Sequence, residues 1–384
     1  MPRCDLCERC FNCCELCQRR YDLRALPAGR QVRLCGENPI LNRSLPMEST
    51  MKKYARKIER NEINPHVRYD GKKSGLILNP LREKVPLNVL GFGIYRLSPR
   101  FLTKETKGKE IVLVPQEGQF EAEVNGKRFS GSRKGGPFAL GPGKSNGSAL
   151  YVPSNSRLRI RGKGEMAFFE APALKNKSPY YLSEQEVTVV SRGDWIWRRD
   201  VVALISPKDA SSNLVVGETS SPPGFWSGTP LHAHDKDQPS CGESDHEEIY
   251  YHRLNWRKGE KDQFGSYGVQ ILMDGRNLSK AYLIGDKSIV AIPGGCHPVV
   301  ASPVSELLYL WGLAGKGGEL MMRDIPEFVY LKTFEEIFKK LKEDERAKSL
   351  PRERLNDLCS AYPLREAQKT VLAVMLREKG FDIE

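Results

Sequence analysis

No stretch of this 384-residue chain reaches the run of about 18 apolar residues that a membrane-spanning helix needs. The first residues, MPRCDLCERC, lack the apolar core of a secretory signal, so a cytoplasmic location is expected. Cysteine is concentrated at one end: seven of the ten (Cys4, Cys7, Cys10, Cys13, Cys14, Cys17 and Cys35) precede residue 36. Disulfides are disfavoured in a cytosolic protein. Histidine is scarce, six in all. The net charge of +12 raises a nucleic-acid reading. However, residues 1–60 hold 13 Lys+Arg against 7 Asp+Glu, half of the excess, and no zinc-finger spacing or interleaving of aromatic and basic residues accompanies them. A solvated basic surface or a small anionic substrate accounts for the charge, with neither nucleic acid nor membrane as partner.

The remaining composition, 39% hydrophobic and 28% charged, is that of a globular chain long enough for two domains. Residues 1–46 stand apart. Cys7, Cys10, Cys13 and Cys17 have C-x2-C-x2-C-x3-C spacing, which is that of an iron–sulfur ligand run, and CxxC pairs also suit zinc. No proline follows Cys17 and no second cysteine cluster exists, while Met47 and Met51 offer in-frame starts. Residues 1–46 are therefore expected to be a dispensable lead. Residues 47–75 read as a short basic helix and a loop, with His66 at the surface.

From about 76 to 185 short β runs alternate with Gly, Pro, Asn and Ser, as in VLGFGIYRL, EIVLVPQ, GQFEAEVNG and RLRIRG. Asn125-Gly126 is a hairpin signal. From 186 to 325 the pattern repeats, through VVALISP, LVVGETSS, EEIYYHRL, YGVQILM and ELLYLWGLAG. Such spacing suggests an all-β sandwich or barrel in each half. After 326 the pattern turns helical. Phe334, Ile337, Phe338 and Leu341 share one stripe, and Leu364, Ala367, Val371, Met375 and Leu376 a second, with Pro363 suited to a first turn and Gly380 to a stop. These helices are expected to pack on a barrel or on a second copy of the chain, and a homo-oligomer is expected.

Five of the six histidines, His232, His234, His246, His252 and His297, fall within residues 222–300. His232 and His234 are two apart, so on a strand both rings face one side. Glu247 and Glu248 open the next strand-like run, and only one of them can face inward. His297 follows a Pro-Gly-Gly turn in PGGCHP. Two imidazoles from one strand, a carboxylate from the next and a distant imidazole make a metal site of three nitrogens and one oxygen. That donor set suits zinc first, with manganese and iron as alternatives. Cys296, beside His297, is read as a small apolar filler.

The order H-x-H, E, P-x-G-x-H resembles the two metal motifs of a cupin barrel. The wider text, FWSGTPLHAHD, EEIYYHRL, DGRNL and IPGGCHPV, is similar to the 5-deoxy-glucuronate isomerase family of bacterial inositol catabolism. That family is related to the 4-deoxy-L-threo-5-hexosulose-uronate ketol-isomerases of pectin degradation. The resemblance runs from about residue 70 to about 325 and implies two cupin (double-stranded β-helix, jelly-roll) barrels with a C-terminal helical extension. The expected division is 47–185, a metal-free barrel in which ALYVPSNSRLRI resembles the second motif without its histidine; 186–325, the metal barrel; and 326–384, a helical tail.

The resemblance implies His232, His234, Glu248 and His297 as ligands, Glu248 being taken over Glu247 by comparison with the pectin-branch enzymes. The polar loop between His234 and Glu248 is longer than in many cupins. The implied reaction converts 5-deoxy-glucuronate, a small sugar acid, to 5-dehydro-2-deoxy-gluconate. A divalent metal would grip carbonyl and neighbouring hydroxyl, and a base would carry the proton. Asp235, Glu247, His252 and Tyr282 are the base candidates, and Arg276, in DGRNL, is the candidate grip for the substrate carboxylate. The competing readings are the pectin-branch isomerase, an iron-dependent cupin dioxygenase and a non-catalytic sugar-binding cupin.

Overall fold

The structure is a computed structural model that describes residues 50–141, 143–208, 210–255, 266–316, 319–343 and 352–381. The cysteine-rich stretch 1–46 lies outside the described residues. The described chain is mostly antiparallel β-structure, and the cupin architecture expected from the sequence is present. Two compact units divide it, residues 42–323 and the C-terminal 324–384.

The first barrel is an eight-stranded sheet. Its path runs Gly75–Leu78, Gly91–Leu97, Arg157–Pro172, Lys109–Val124, Ala149–Val152 and Tyr180–Leu182, with Leu102–Glu105 and Lys127–Arg133 attached to the two long strands. The hairpin at Asn125-Gly126 is formed. Both residues have positive φ, 49° and 84°, and Val124 pairs with Lys127.

The second barrel joins another eight-stranded sheet to a four-stranded one. The larger runs His66–Arg68, Ser288–Ile292, Glu243–Asn255, Glu306–Gly315, Val215–Ser221, Arg199–Ile205 and Val190–Arg192, with Asp235–Gln238 beside Glu243–Asn255. The smaller runs Trp226–Ser227, Val299–Ala301, Tyr267–Met273 and Ser279–Gly285.

Several strands are apolar on both faces because each face meets a different core. Ile111, Leu113, Val152 and Phe168 fill the first barrel. Their neighbours Val112, Val114, Tyr151 and Phe169 turn the other way and pack with Ile249, Tyr251, Ile289 and Ala291 in a core shared by the two barrels. A strand buried on both sides reads as a continuous apolar run, which is the pattern of EIVLVPQ.

The division at residue 47 needs correction. The helix Thr50–Glu59 buries Met51, Tyr54, Ala55 and Ile58 in the core of the second barrel, with Leu272, Leu278 and Ile284. The strand His66–Arg68 pairs with Ser288–Ile292 of the same barrel. The N-terminal segment thus closes the edge of the distant barrel before the chain enters the first one. His66 is half-buried there, its Nε2 3.0 Å from the Ser288 hydroxyl.

The unit 324–384 holds three described helices, Tyr330–Glu343, Arg352–Ser360 and Glu366–Glu378. Phe334, Ile337, Phe338 and Leu341 are buried as expected. In the last helix the buried residues are Leu372 and Leu376, while Val371 and Ala367 face solvent, so the inward stripe is rotated from the expected one. Pro363 precedes the helix, which is capped at Arg365, and Gly380 ends it at φ 88°. The helix Arg352–Ser360 was not expected.

Candidate metal centre

The centre is built from three segments of the second barrel. His232 and His234 flank Ala233 at the strand His232–Ala233. Glu248 lies on Glu243–Asn255, and His297 follows the turn at Gly294 and Gly295, whose φ angles are 145° and 72°. These two positions need glycine. A Cβ on Gly294 would collide with Asp235 and one on Gly295 with the Met273 carbonyl, and L side chains rarely adopt such φ.

The ligand atoms of His234, Glu248 and His297 lie within 4.8 Å of one another, and all three residues are buried. Glu248 Oε2 is 3.2 Å from His234 Nε2 and 3.0 Å from His297 Nε2. His232 stands beside them, half-buried, its ring centre 5.5 Å from that of His297 and 6.5 Å from that of His234.

The three imidazoles are held in one way. His232 Nδ1 is 3.1 Å from the Pro230 carbonyl, His234 Nδ1 3.0 Å from the His246 carbonyl and His297 Nδ1 2.8 Å from the Gly295 carbonyl. A carbonyl only accepts, so each Nδ1 carries the proton and donates it. Each Nε2 is thereby left unprotonated and able to ligate a metal, an arrangement typical of ligating histidines.

The electrostatics agree with this arrangement. Burial would raise the Glu248 carboxyl, but His297 and His234 overcome it and hold the group down at about 2. Burial, reinforced by His297 and His234, pushes His232 down to about 3. His234 is raised: burial opposes its charge, and the contact with Glu248 outweighs burial. A buried carboxylate facing neutral or proton-sharing imidazoles is a donor set ready for a divalent cation, and these residues fit one.

The base candidates occupy other places. Asp235 Oδ2 accepts the Gly295 N–H at 3.0 Å, and its own N–H donates to Glu243, which in turn accepts Arg323 Nε at 2.5 Å. Asp235 therefore braces the Gly-Gly turn under His297. Glu247 points to the opposite face from Glu248. It accepts backbone N–H groups of Asn88, Val89 and Leu90 at 2.6, 2.9 and 3.1 Å and the Thr50 hydroxyl at 3.2 Å. Its oxygens are spent on the first barrel, which corrects its candidacy as a base.

His252 is likewise engaged, Nδ1 3.1 Å from the Ser288 carbonyl and Nε2 3.1 Å from Gln270 Oε1, and burial pushes it down to about 4. Tyr282 is half-buried beside His66, with ring centres 6.2 Å apart, and burial raises it to about 12. Arg276 is on an exposed turn whose N–H groups, at Arg276, Asn277 and Leu278, are capped by Asp274. Cys296 is buried and its thiol is pushed up to about 12 by burial, as suits a filler.

Residues that motif reading missed support the centre from behind. Gln270 Nε2 donates to the His297 carbonyl at 2.8 Å. A lone amide on the buried face of YGVQILM was the available signal. The Tyr250 ring centre lies 4.3 Å from that of Tyr309, tilted, and 5.6 Å from that of His297, edge-on, and Ser227 meets the Tyr309 hydroxyl at 2.6 Å. Burial raises both phenols and the charge of Arg199 opposes the rise, so both remain hydroxyl donors.

The first barrel lacks these ligands. In the ladders Glu110 opposes Ala171 as Glu247 opposes Ala314, and Ile111 opposes Val152 as Glu248 opposes Ile292. Ile111 thus takes the place of Glu248. Among the described residues one group of metal-binding side chains is found, in the second barrel.

The comparisons agree with this architecture. The chain is 28% identical over 253 residues to the 5-deoxy-glucuronate isomerase of Geobacillus kaustophilus (strain HTA426), covering 63% of this chain and 86% of that protein. It is 27% identical over 219 residues to the 5-deoxy-glucuronate isomerase of Bacillus subtilis (strain 168), covering 56% and 76%. The crystal structure of an IolB-like protein from Salmonella typhimurium LT2 superposes with a TM-score of 0.62 at 22% identity, over 70% of this chain and 99% of that one, and shares the fold. The KduI/IolB family profile matches residues 66–331, the span that contains both barrels and all four proposed ligands, and the chain belongs to the KduI/IolB family.

Proposed function

We propose that this protein is a metal-dependent aldose–ketose isomerase that converts 5-deoxy-glucuronate to 5-dehydro-2-deoxy-gluconate. The observation that carries the reading is the convergence of His234 Nε2 and His297 Nε2 on Glu248, with His232 beside them and all three imidazoles locked by backbone carbonyls. The family and the 5-deoxy-glucuronate isomerases it resembles support the substrate.

His232, His234, Glu248 and His297 would hold a divalent ion, zinc by preference, with manganese or iron as alternatives. Such an ion supplies Lewis-acid polarisation of the carbonyl and the adjacent hydroxyl. The protein's own part would be to bring these donors together, with Tyr250 packed against His297 and His232 partly exposed beside them.

The test is to incubate the purified full chain, loaded with zinc or manganese, with 5-deoxy-glucuronate and to follow the aldehyde proton by NMR. Loss of the aldehyde with growth of a ketone carbon is expected, without oxygen uptake. An aldehyde signal that persists with either metal would refute the assignment.

A further inference from the structure

Arg199 begins the strand Arg199–Ile205 and is half-buried. Its Nη1 donates to the Thr229 carbonyl at 2.7 Å and to the Trp197 carbonyl at 3.3 Å. The next carbonyl along, that of Pro230, holds His232 Nδ1. The guanidinium and His232 are thus tied to consecutive peptide units. His234, Glu248 and His297 are buried, whereas His232 and Arg199 are partly exposed. These two are therefore the groups of this neighbourhood that solvent reaches. Inward, the charge of Arg199 is felt by the hydroxyls of Tyr250 and Tyr309, and Tyr250 packs against His297.

Other inward cations of this unit have carboxylate partners: Arg133 has Glu218, Arg253 has Asp286 and Arg323 has Glu243. Among the described residues no carboxylate pairs with Arg199, and only its Nη1 has a hydrogen-bond partner. A planar fork beside a metal centre, with its remaining donors unmatched, suits a carboxylate brought by a ligand.

We propose that Arg199 anchors the substrate carboxylate remote from the metal, and so selects sugar acids over neutral sugars. The assignment rests on the isomerase reading, in which the uronate carries its carboxylate at the opposite end from its aldehyde. It moves the anchor from Arg276, on the exposed turn, to a residue at the mouth of the centre.

The test uses binding, so it does not depend on turnover. The zinc-loaded full chain is titrated calorimetrically with D-glucarate, which has a carboxylate at each end, and with D-gluconate, which lacks the second. The parent is expected to prefer glucarate. Arg199→Gln should weaken glucarate roughly tenfold to a hundredfold, the worth of one charge-assisted pair, and leave gluconate and zinc content unchanged. Arg276→Gln should keep the preference.

Equal affinity of the parent for the two acids would overturn the proposal. So would a glucarate preference that survives in Arg199→Gln but vanishes in Arg276→Gln. A parallel loss of glucarate, gluconate and zinc would overturn it too, and would make Arg199 a prop for the segment 229–232. If Arg199→Gln does not fold, Arg199→Lys is read instead. Lysine keeps the charge but not the two-point grip, and undiminished preference would sink the idea. A parent that shows the arginine-dependent preference yet does not isomerise 5-deoxy-glucuronate would refute the isomerase reading and leave the anchor standing.

Discussion

Glu247 and Glu248 are neighbours, both acidic and both buried, and they serve opposite faces of one strand. Strand alternation sends Glu248 to the imidazoles and Glu247 to the N–H groups of residues 88–90. Their variants should therefore part company. Glu248→Gln, like His297→Ala, is expected to lose bound metal by elemental analysis while the barrel stays folded. Glu247→Gln should keep its metal but lose about 2–3 kcal/mol of stability in urea, because an amide meets donors that were matched to a charge. Full metal in Glu248→Gln, or full stability in Glu247→Gln, would reverse the roles. The candidate histidines were legible in the sequence because their spacing is local, H-x-H on one strand and PGGCH on one turn, whereas Glu248 was taken over Glu247 only by resemblance to the pectin-branch enzymes. The partners of Glu247 and Gln270 were not legible. The N–H donors to Glu247 lie |i−j| = 157 to 159 residues away, and no local pattern carries such information.

Among the elements, the helix Thr50–Glu59 bears most directly on the site. Met51 packs against Gly294 and Gly295 in the turn that presents His297, and Glu59 accepts the Ser279 N–H at 2.9 Å. Ile58, fully buried in the second barrel's core, should cost about 2–4 kcal/mol when cut to alanine, measured by denaturant unfolding. Met51→Asp should in addition weaken metal retention, and unchanged metal affinity there would separate this helix from the centre. Its amphipathic pattern was readable, but not its destination, since an apolar stripe does not name the surface that covers it. The last helix shows the converse. In TVLAVML nearly every residue is apolar, so several stripes fit, and only packing selects Leu372 and Leu376. The helix Arg352–Ser360 buries Leu355 and Cys359, too few residues to announce a period.

At the scale of the whole molecule the two barrels are bound by an exchange. Glu247 of the second accepts N–H groups of Asn88, Val89 and Leu90, and Glu110 of the first accepts those of Ser212, Asn213 and Leu214. The ladders make these two clasps equivalent, since Gly91 opposes Glu170 as Val215 opposes Leu313. Arg133 adds a buried bidentate pair with Glu218, at 2.5 and 2.8 Å, across the same boundary. Removing one partner of a buried pair strands the other, so residues 47–185 expressed alone should fail to give a cooperative unfolding transition. Co-expression with 186–384 should restore one. A well-folded 47–185 fragment would contradict this. The repeat of two β halves was legible from the strand pattern and the family resemblance, although no sequence repeat is visible; the clasps were not, because each joins residues that are far apart in the chain. The same exchange has a consequence for synthesis. On the ribosome Glu110 emerges about a hundred residues before the loop that neutralises it, and the helix Thr50–Glu59 precedes by some two hundred the strands that cover its apolar face. The first half must wait, unfinished, for the second, and a helix made before either barrel settles among the last. Slow elongation or a pause near residue 185 would hold the nascent chain in its most aggregation-prone form, so the yield of soluble protein is set by how quickly translation reaches the metal barrel.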